Sequence, residues 1–269
     1  TGEGLRWFGW TDVGKVRKNN EDSYLAIQFD AREVQMLGRL GEGGLLEVDR
    51  AFAVCDGMGG AKAGEFASRV AVEQITRLLP RSFAHRAAGL ASGNPDLLNE
   101  LFTKIHKALV YMGGCYEECA GMETTLSLCW FSPGWMHFAH VGDSRIYYLP
   151  GSGSGIRQLS HDDTYVGWLF RSGQINEREA RNHPRRNVLQ KALGGGNQFV
   201  DPQIGAVGTE SGDRFLICSD GLTEGLHDHR VADLMREPGR SGNPAQALVE
   251  ASVELDGKDN TTALVIEVL

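Results

Sequence analysis

The chain has 269 residues, 27 Lys plus Arg against 35 Asp plus Glu, and a formal charge of −8. With 41% hydrophobic and 23% charged residues it is too apolar for wholesale disorder and long enough to bury a full core. The acidic balance excludes binding of nucleic acid or an anionic membrane through a broad basic face, and leaves open a hard-metal site built from oxygens.

In chain order, Thr1-Gly2-Glu3-Gly4-Leu5 has no basic or apolar stretch of the kind a signal peptide needs, so none is expected there. No run of about 18 apolar residues occurs, so no membrane helix is expected either. Arg32–Asp49 is Gly-rich and is expected to form an extended hairpin. Ala51–Cys55 reads as a strand. Ala63–Leu79 sets Phe66, Val70, Ile75, Leu78 and Leu79 mostly on one side of a helix. Asp96–Tyr116 does the same with Leu97, Leu101, Ile105, Ala108, Leu109 and Met112, after the start signals Asn94 and Pro95. Thr125–Phe131 and Trp135–Val141 read as strands joined by the turn Ser132-Pro133-Gly134. Arg145–Leu149 and Ile156–Leu159 flank a flexible tip, Gly151-Ser152-Gly153-Ser154-Gly155. Gly167–His183 is polar and suggests a mobile short-helix flap, broadly residues 162–186. Phe215–Cys218 and Ala263–Val268 are strands, and Asp228–Arg236 and Pro244–Leu255 are amphipathic helices.

No repeat and no long linker appears, so one domain is expected over 1–269. The order is not a βαβ alternation, so an α+β fold of antiparallel sheets with segregated helices is favoured. The five cysteines are odd in number. Cys55, Cys129 and Cys218 sit in apolar runs, which fits buried thiols in a reducing cytoplasm rather than disulfides.

Acids gather at five places, each after an apolar run or in a Gly/Asn-rich turn. They are Asn20-Glu21-Asp22-Ser23, Asp56-Gly57-Met58-Gly59-Gly60, Gly142-Asp143-Ser144-Arg145, Ser219-Asp220-Gly221-Leu222 and Asp259-Asn260-Thr261-Thr262. Singly, each is an ordinary turn former. Together, two of them after the near-identical strands Ala-Val-Cys and Leu-Ile-Cys, they suggest oxygen ligands for two or three hard divalent cations. Two such ions about 3.5–4 Å apart can activate a water and clamp a phosphoryl oxygen. Arg17, four residues before Glu21, offers a guanidinium fork for phosphate.

Laid out in order, these segments resemble the metal-dependent protein phosphatases of type 2C in their bacterial form. The resemblance is carried by Thr11–Ser23, Val54–Gly60, Thr124-Thr125-Leu126, His140–Arg145, Leu159–Asp163, Asn187–Gly194, Ile217–Leu222 and Asp259–Thr262. It implies a four-layer α/β/β/α sandwich of two antiparallel sheets flanked by helices. It also implies hydrolysis of phosphoserine and phosphothreonine by a water bridging two metals, without a covalent phosphoenzyme. By that resemblance Asp56 bridges the two ions, Asp220 and Asp259 complete the first, and Glu21 and the Gly57 carbonyl serve the second. Asp22 orients water, Arg17 holds the phosphate, and Asp143 with Asp220 serves a third, weaker ion. Glu224 stands where another acid often assists. Oxygen-only ligands suit Mn²⁺ or Mg²⁺ over Zn²⁺. The implied partners are phosphorylated Ser/Thr proteins made by a cognate kinase, with no nucleic acid, in a cytoplasmic monomer.

The chain departs from the family at two points. Met58 stands where some members carry a His proposed as general acid, and Met donates no proton, so the acid for the leaving group is open. Glu123 replaces a small residue before Thr124-Thr125. His161 and His183 are read as turn or surface residues. His137 and His140, three apart in a strand, are expected on opposite faces, as core residues rather than a chelating pair. Cys115 and Cys119, four apart on an expected helix, lack the second pair that zinc needs. Gly194-Gly195-Gly196 lacks the Lys-Ser/Thr of a phosphate-cradling loop. Two alternatives remain: a catalytically silent phosphoprotein-binding module on the same fold, and a phosphatase dedicated to an anti-anti-sigma-type regulator.

Overall fold

A computed structural model describes residues 4–59, 63–87, 93–153, 155–197 and 199–269. Thr1, Gly2 and Glu3 of the N-terminal reading, Gly60 of the Asp-Gly-Met-Gly-Gly run and Ser154 of the Gly-Ser tip lie outside the described residues. The chain opens with strands β1 (Gly4–Asp12), β2 (Asp22–Phe29), β3 (Val34–Met36), β4 (Leu40–Gly44) and β5 (Asp49–Met58). Helices α1 (Ala63–Ala87) and α2 (Asn94–Cys115) follow, then β6 (Glu123–Thr124), β7 (Leu126–Ser132), β8 (Trp135–Val141), β9 (Arg145–Leu149) and β10 (Arg157–Gln158). The remainder is α3 (Tyr165–Arg171), α4 (Glu177–Asn182), β11 (Leu193–Gly194), β12 (Gln203–Gly208), β13 (Arg214–Cys218), α5 (Asp220–Gly225), α6 (Asp228–Arg236), α7 (Pro244–Leu255) and β14 (Thr261–Val268).

Two antiparallel sheets result. One runs β10-β9-β13-β14-β1-β4; the other runs β11-β6-β5-β7-β8-β12, with β2 on the free side of β5 and β3 beyond it. The side-chain period of two decides the layers. Phe52 and Val54 of β5, Phe215 and Ile217 of β13, and Leu264, Ile266 and Val268 of β14 fill the space between the sheets. The alternate residues Ala51, Ala53 and Cys55 pack under α1 and α2. Leu216, Cys218, Ala263 and Val265 pack under α5, α6 and α7. Strands buried on both faces read as continuous apolar runs, which is why these strands were visible in the sequence. The result is the α/β/β/α sandwich, an α+β fold.

The elements that sequence patterning misses are explained by their surroundings. β1 is broken by Gly4, Arg6 and Gly9 and buries only alternate residues such as Leu5 and Trp7. β12 is an edge strand with a glycine under an aromatic ring: a Cβ on Gly205 would stand 2.5 Å from the Phe138 ring. Arg32–Asp49 is not a hairpin. β3 pairs with β2 in one sheet and β4 with β1 in the other, so the segment straps the two sheets together. Its Gly41 lies against the Trp7 indole, where a Cβ would overlap the ring. The Trp7 Nε1–H donates to Gly38 O at 3.0 Å.

Smaller departures follow the same logic. α1 extends past Leu79 through Pro80 to Ala87. Cys115 and Cys119 do not share a helix: α2 ends at Cys115, which is exposed, and Cys119 is buried in a 3-10 turn. Cys55, Cys129 and Cys218 are buried free thiols. His140 is fully buried, with Nδ1 2.8 Å from Ser127 Oγ and Nε2 2.9 Å from Gly142 O. His137 lies 2.8 Å from the Asn94 side chain. Among the described residues, no helix is long and apolar enough to cross a membrane.

Candidate active site

The register of β2 against β5 sets Asp22 directly opposite Asp56. Both continue the inter-sheet face of their strands, beyond Tyr24 and Val54, at one end of the sandwich. Like charges opposite one another are destabilising in a sheet. Three further turns bring acids to the same end: Asp143 between β8 and β9, Asp220 at the start of α5, and Asp259 before β14. Glu21 precedes β2. The fields of these acids reach one another. Burial, reinforced by Asp22, Asp220, Asp143 and Asp259, holds the Asp56 carboxyl well above the usual range. Burial and then Asp143, Asp259, Glu224 and Asp22 do the same to Asp220. Asp143 is pushed up to about 7 by burial and by Asp162.

Asp22 ties the sheets together. Its Oδ2 accepts from Ser219 Oγ at 2.7 Å and from Thr262 Oγ1 at 2.6 Å. Its Oδ1 is buried and has no hydrogen-bond partner among the described residues, and neither has Asp220 Oδ1. Burial raises the Asp22 carboxyl to about 6 despite the two hydroxyl donors. Buried carboxylate oxygens without donors cost free energy that a cation would offset.

Glu21 and Gly57 meet at the first turn of α1. Gly57 N–H donates to Glu21 O at 3.2 Å. A Cβ on Gly64 would stand 2.7 Å from the Gly57 carbonyl oxygen and 3.0 Å from the Glu21 carboxyl carbon. The carbonyl and the carboxylate therefore border the same small space. Ser68 of α1 donates to Glu21 O at 2.6 Å, and Glu21 N–H donates to Asn260 Oδ1 at 2.8 Å.

The loop bearing Arg17 is clamped on the Asp259-Asn260 turn. Asn260 Nδ2 donates to Val13 O and Asn19 O, both at 3.0 Å. Gly14 has φ +80° and packs so closely that a Cβ would be 2.5 Å from Asp259 O. Arg17 Nη2 donates to Asp259 Oδ2 at 2.6 Å, which raises its guanidinium above the ordinary value. The other oxygen, Asp259 Oδ1, accepts from Asn260 N–H at 2.8 Å. Asp259 is thus turned to Arg17. Among the described residues, no three acid, His or Cys side chains are disposed in this conformation to hold one ion. The donor chemistry fits a hard cation, through two unpartnered buried oxygens and an Asp–Asp strand pair; one expected ligand is engaged elsewhere.

The family model for protein phosphatase 2C matches residues 45–253. The chain belongs to the protein phosphatase 2C family. It is 31% identical over 268 residues to the serine/threonine protein phosphatase PstP of Mycobacterium tuberculosis, covering 98% of this chain and 45% of PstP. It thus spans under half of that relative's length. The serine/threonine phosphatase stp of Listeria monocytogenes is 31% identical over 259 residues, 96% of this chain and 93% of stp. The solved catalytic domain of PstP in complex with two manganese ions is similar with a TM-score of 0.76 at 28% identity, covering 99% of each chain.

Within this type 2C domain, several residues matter that sequence reasoning gave no role. Thr125 Oγ1 accepts from Asp56 N–H at 3.0 Å and lies 2.6 Å from Ser144 Oγ, so it links the Asp56 strand to the Asp143 turn. Thr124 Oγ1 donates to Asp56 O at 3.0 Å. Ser219 occupies the N-cap of α5, yet its hydroxyl goes to Asp22. The available signal was a hydroxyl or Asn beside each acid except Asp56, which stands between Cys55 and Gly57.

Glu123, in β6, pairs with Met58 and lies against Gly195, and its Oε1 accepts from Asn197 at 3.3 Å. The residues of the expected flap form α3 and α4 and rest on α5 through Arg181 to Thr223 O at 3.1 Å and Arg186 to Glu224 at 3.6 Å. His161 lies 3.9 Å from Asp163, and His183 Nδ1 accepts from Arg185 N–H.

Proposed function

We propose that the chain is a metal-dependent phosphatase of phosphoserine and phosphothreonine in proteins, working as a single catalytic domain over residues 1–269. The observation that carries this reading is the convergence of six acids, two with buried unpartnered oxygens, beside Arg17. Membership of the family supports it.

Asp56, Asp220 and Asp259 would hold one divalent cation, and Asp56, Glu21 and the Gly57 carbonyl a second. Asp143, with Asp220, would serve a weaker third. When bound, such cations supply Lewis acidity, lowering the pKa of water and neutralising charge that develops on phosphorus oxygens. Mn²⁺ or Mg²⁺ suits this oxygen-only set. Arg17 would swing its guanidinium fork onto the phosphoryl oxygens and hold phosphorus in line. Asp22, fixed by Ser219 and Thr262, keeps Oδ1 free to accept a proton from water at the site. Met58 has no ionisable proton, so the acid for the leaving oxygen would be a water at the site or a nearby His.

The substrates are phosphoproteins made by a Ser/Thr kinase, which gives the domain a part in signalling. The buried free thiols suit a reducing, cytoplasmic setting. A silent binding module would be expected to have lost some of these acids, and all six are in place. The test is hydrolysis of p-nitrophenyl phosphate and of a phosphothreonine peptide with Mn²⁺, with and without chelator. Turnover dependent on Mn²⁺ and abolished in Asp220→Ala is expected. Turnover that survives either change overturns the reading.

A further inference from the structure

Arg17 and Asp259 are each expected to hold something other than one another. Arg17 should hold phosphate and Asp259 a cation, yet they form an ion pair at 2.6 Å. The pairing engages Asp259 Oδ2, and the second oxygen, Oδ1, accepts from Asn260 N–H. It also draws Nη2 of the Arg17 guanidinium onto Asp259. The loop that bears Arg17 is not free to drift away, since Asn260 grips it at Val13 and Asn19 and Gly14 packs on Asp259 O. Arg17 and Asp259 therefore stay within reach of one another, and the side chains alone choose the partner. With half of Arg17 and a quarter of Asp259 exposed, the pair is held by a small margin.

We propose that Arg17 and Asp259 form an interlock: in the metal-free chain the guanidinium takes the cation's place on Asp259, and a divalent cation that claims Asp259 releases Arg17 to an anionic phosphoryl group. This rests on the phosphatase reading. Its consequence is reciprocal coupling, in which phosphate helps the cation in and the cation helps the phosphate in. The chain would then present its phosphate clamp only when metal is loaded.

The test is a double-mutant cycle read by binding rather than by turnover. Mn²⁺ is titrated calorimetrically into the wild-type chain, Arg17→Ala, Asp259→Asn and the double variant, with circular dichroism to confirm folding. The interlock predicts that Arg17→Ala tightens Mn²⁺ binding about three- to tenfold when Asp259 is present. In the Asp259→Asn background the same change should do nothing, because no carboxylate is left to release. Equal tightening in both backgrounds would mean that Arg17 acts only through its general field on Glu21 and Asp56, and overturns the interlock. So would no tightening at all.

A second arm needs no metal. Inorganic phosphate, followed by NMR line shifts, should bind metal-free Asp259→Asn more tightly than metal-free wild type, and the gain should vanish in the double variant. A gain that persists without Arg17 counts against the proposal. A wild-type chain that binds no Mn²⁺ overturns the phosphatase reading itself, whereas Mn²⁺ binding with no Arg17 effect overturns the interlock alone.

Discussion

Replacing Gly57 by Ala tests whether Gly57 and Glu21 border one site. The substituted Cβ would stand 1.9 Å from Gly64 O, 2.4 Å from Gly64 C and 3.0 Å from Glu21 O. All three are backbone atoms, so no side-chain rotation relieves the clash. β5 and the first turn of α1 must part by roughly 1 Å to restore even a tight contact. Overpacking of this kind costs about 1–3 kcal/mol, or a melting temperature lower by roughly 3–9 °C for a domain of this size. The parting also strains the Gly57 N–H to Glu21 O bond and separates the carbonyl from the carboxylate. Mn²⁺ affinity should fall by about tenfold or more, since a ligand pair rather than a single oxygen is displaced. The control is Gly114→Ala in α2, where a new Cβ meets nothing within 4 Å. That change should raise stability by up to about 1 kcal/mol through helix propensity alone. Differential scanning calorimetry and Mn²⁺ titration read both variants. A Gly57→Ala protein with wild-type melting and wild-type Mn²⁺ affinity would refute the reasoning.

Other consequences are simpler to read. Mn²⁺ at about 100 times its dissociation constant should stabilise the fold by about 2.7 kcal/mol, and chelator should reverse it; thermal melts unmoved by Mn²⁺ would count against a cation site. In the native chain a thiol reagent should label Cys115 and spare Cys55, Cys129 and Cys218, whose thiols burial pushes up; mass spectrometry of the labelled sites decides. Burial lowers His140 below 6.5, so the unfolded chain takes up a proton there that the folded chain refuses. Its contribution to stability is full above pH 6.5 and is lost as the pH falls towards the folded value. The raised carboxyls act in the opposite sense, so His140's share is the difference between wild type and His140→Gln in urea midpoints at pH 7.5 and 5.5, and an unchanged difference refutes it. Amides of α3 and α4 should exchange faster than those of β14, and equal protection would remove the case for a mobile flap.

How much was legible in the sequence depended on burial. β5, β7, β8, β13 and β14 are covered on both faces, so their apolar runs announced them. β1 was silent because only alternate residues face a core, and β12 because none of its residues is buried; β2 is covered on both faces at Leu25-Ala26-Ile27, a run too short to stand out. The strap formed by β3 and β4 could not be read, since Gly41 answers to Trp7, 34 residues away in sequence, and Gly43 to Arg50, rather than to a local turn. At the site, acid identity was legible because Asp and Glu at strand ends are conspicuous. The hydroxyls and Asn260 that hold the acids were not, because Ser, Thr and Asn are common in any turn. The pairing of Arg17 with Asp259 joins positions 242 apart and leaves no local signature.

The same facts change the meaning of the −8 charge. Spread evenly, it would favour solubility and keep anions away. Instead six acids meet where β2 and β5 place Asp22 against Asp56, a destabilising pairing of like charges that a cation would relieve. Arg17 supplies one positive charge, and it lies on Asp259, away from the two unpartnered oxygens of Asp22 and Asp220. Two or three divalent ions would offset four to six of the negative charges locally. With those charges met, Arg17 is the group left over, and an anion becomes the partner the site lacks. Under the proposed function an acidic chain would carry a phosphate-binding site, because the acids that repel the anion are the ones that would gather the cations to attract it.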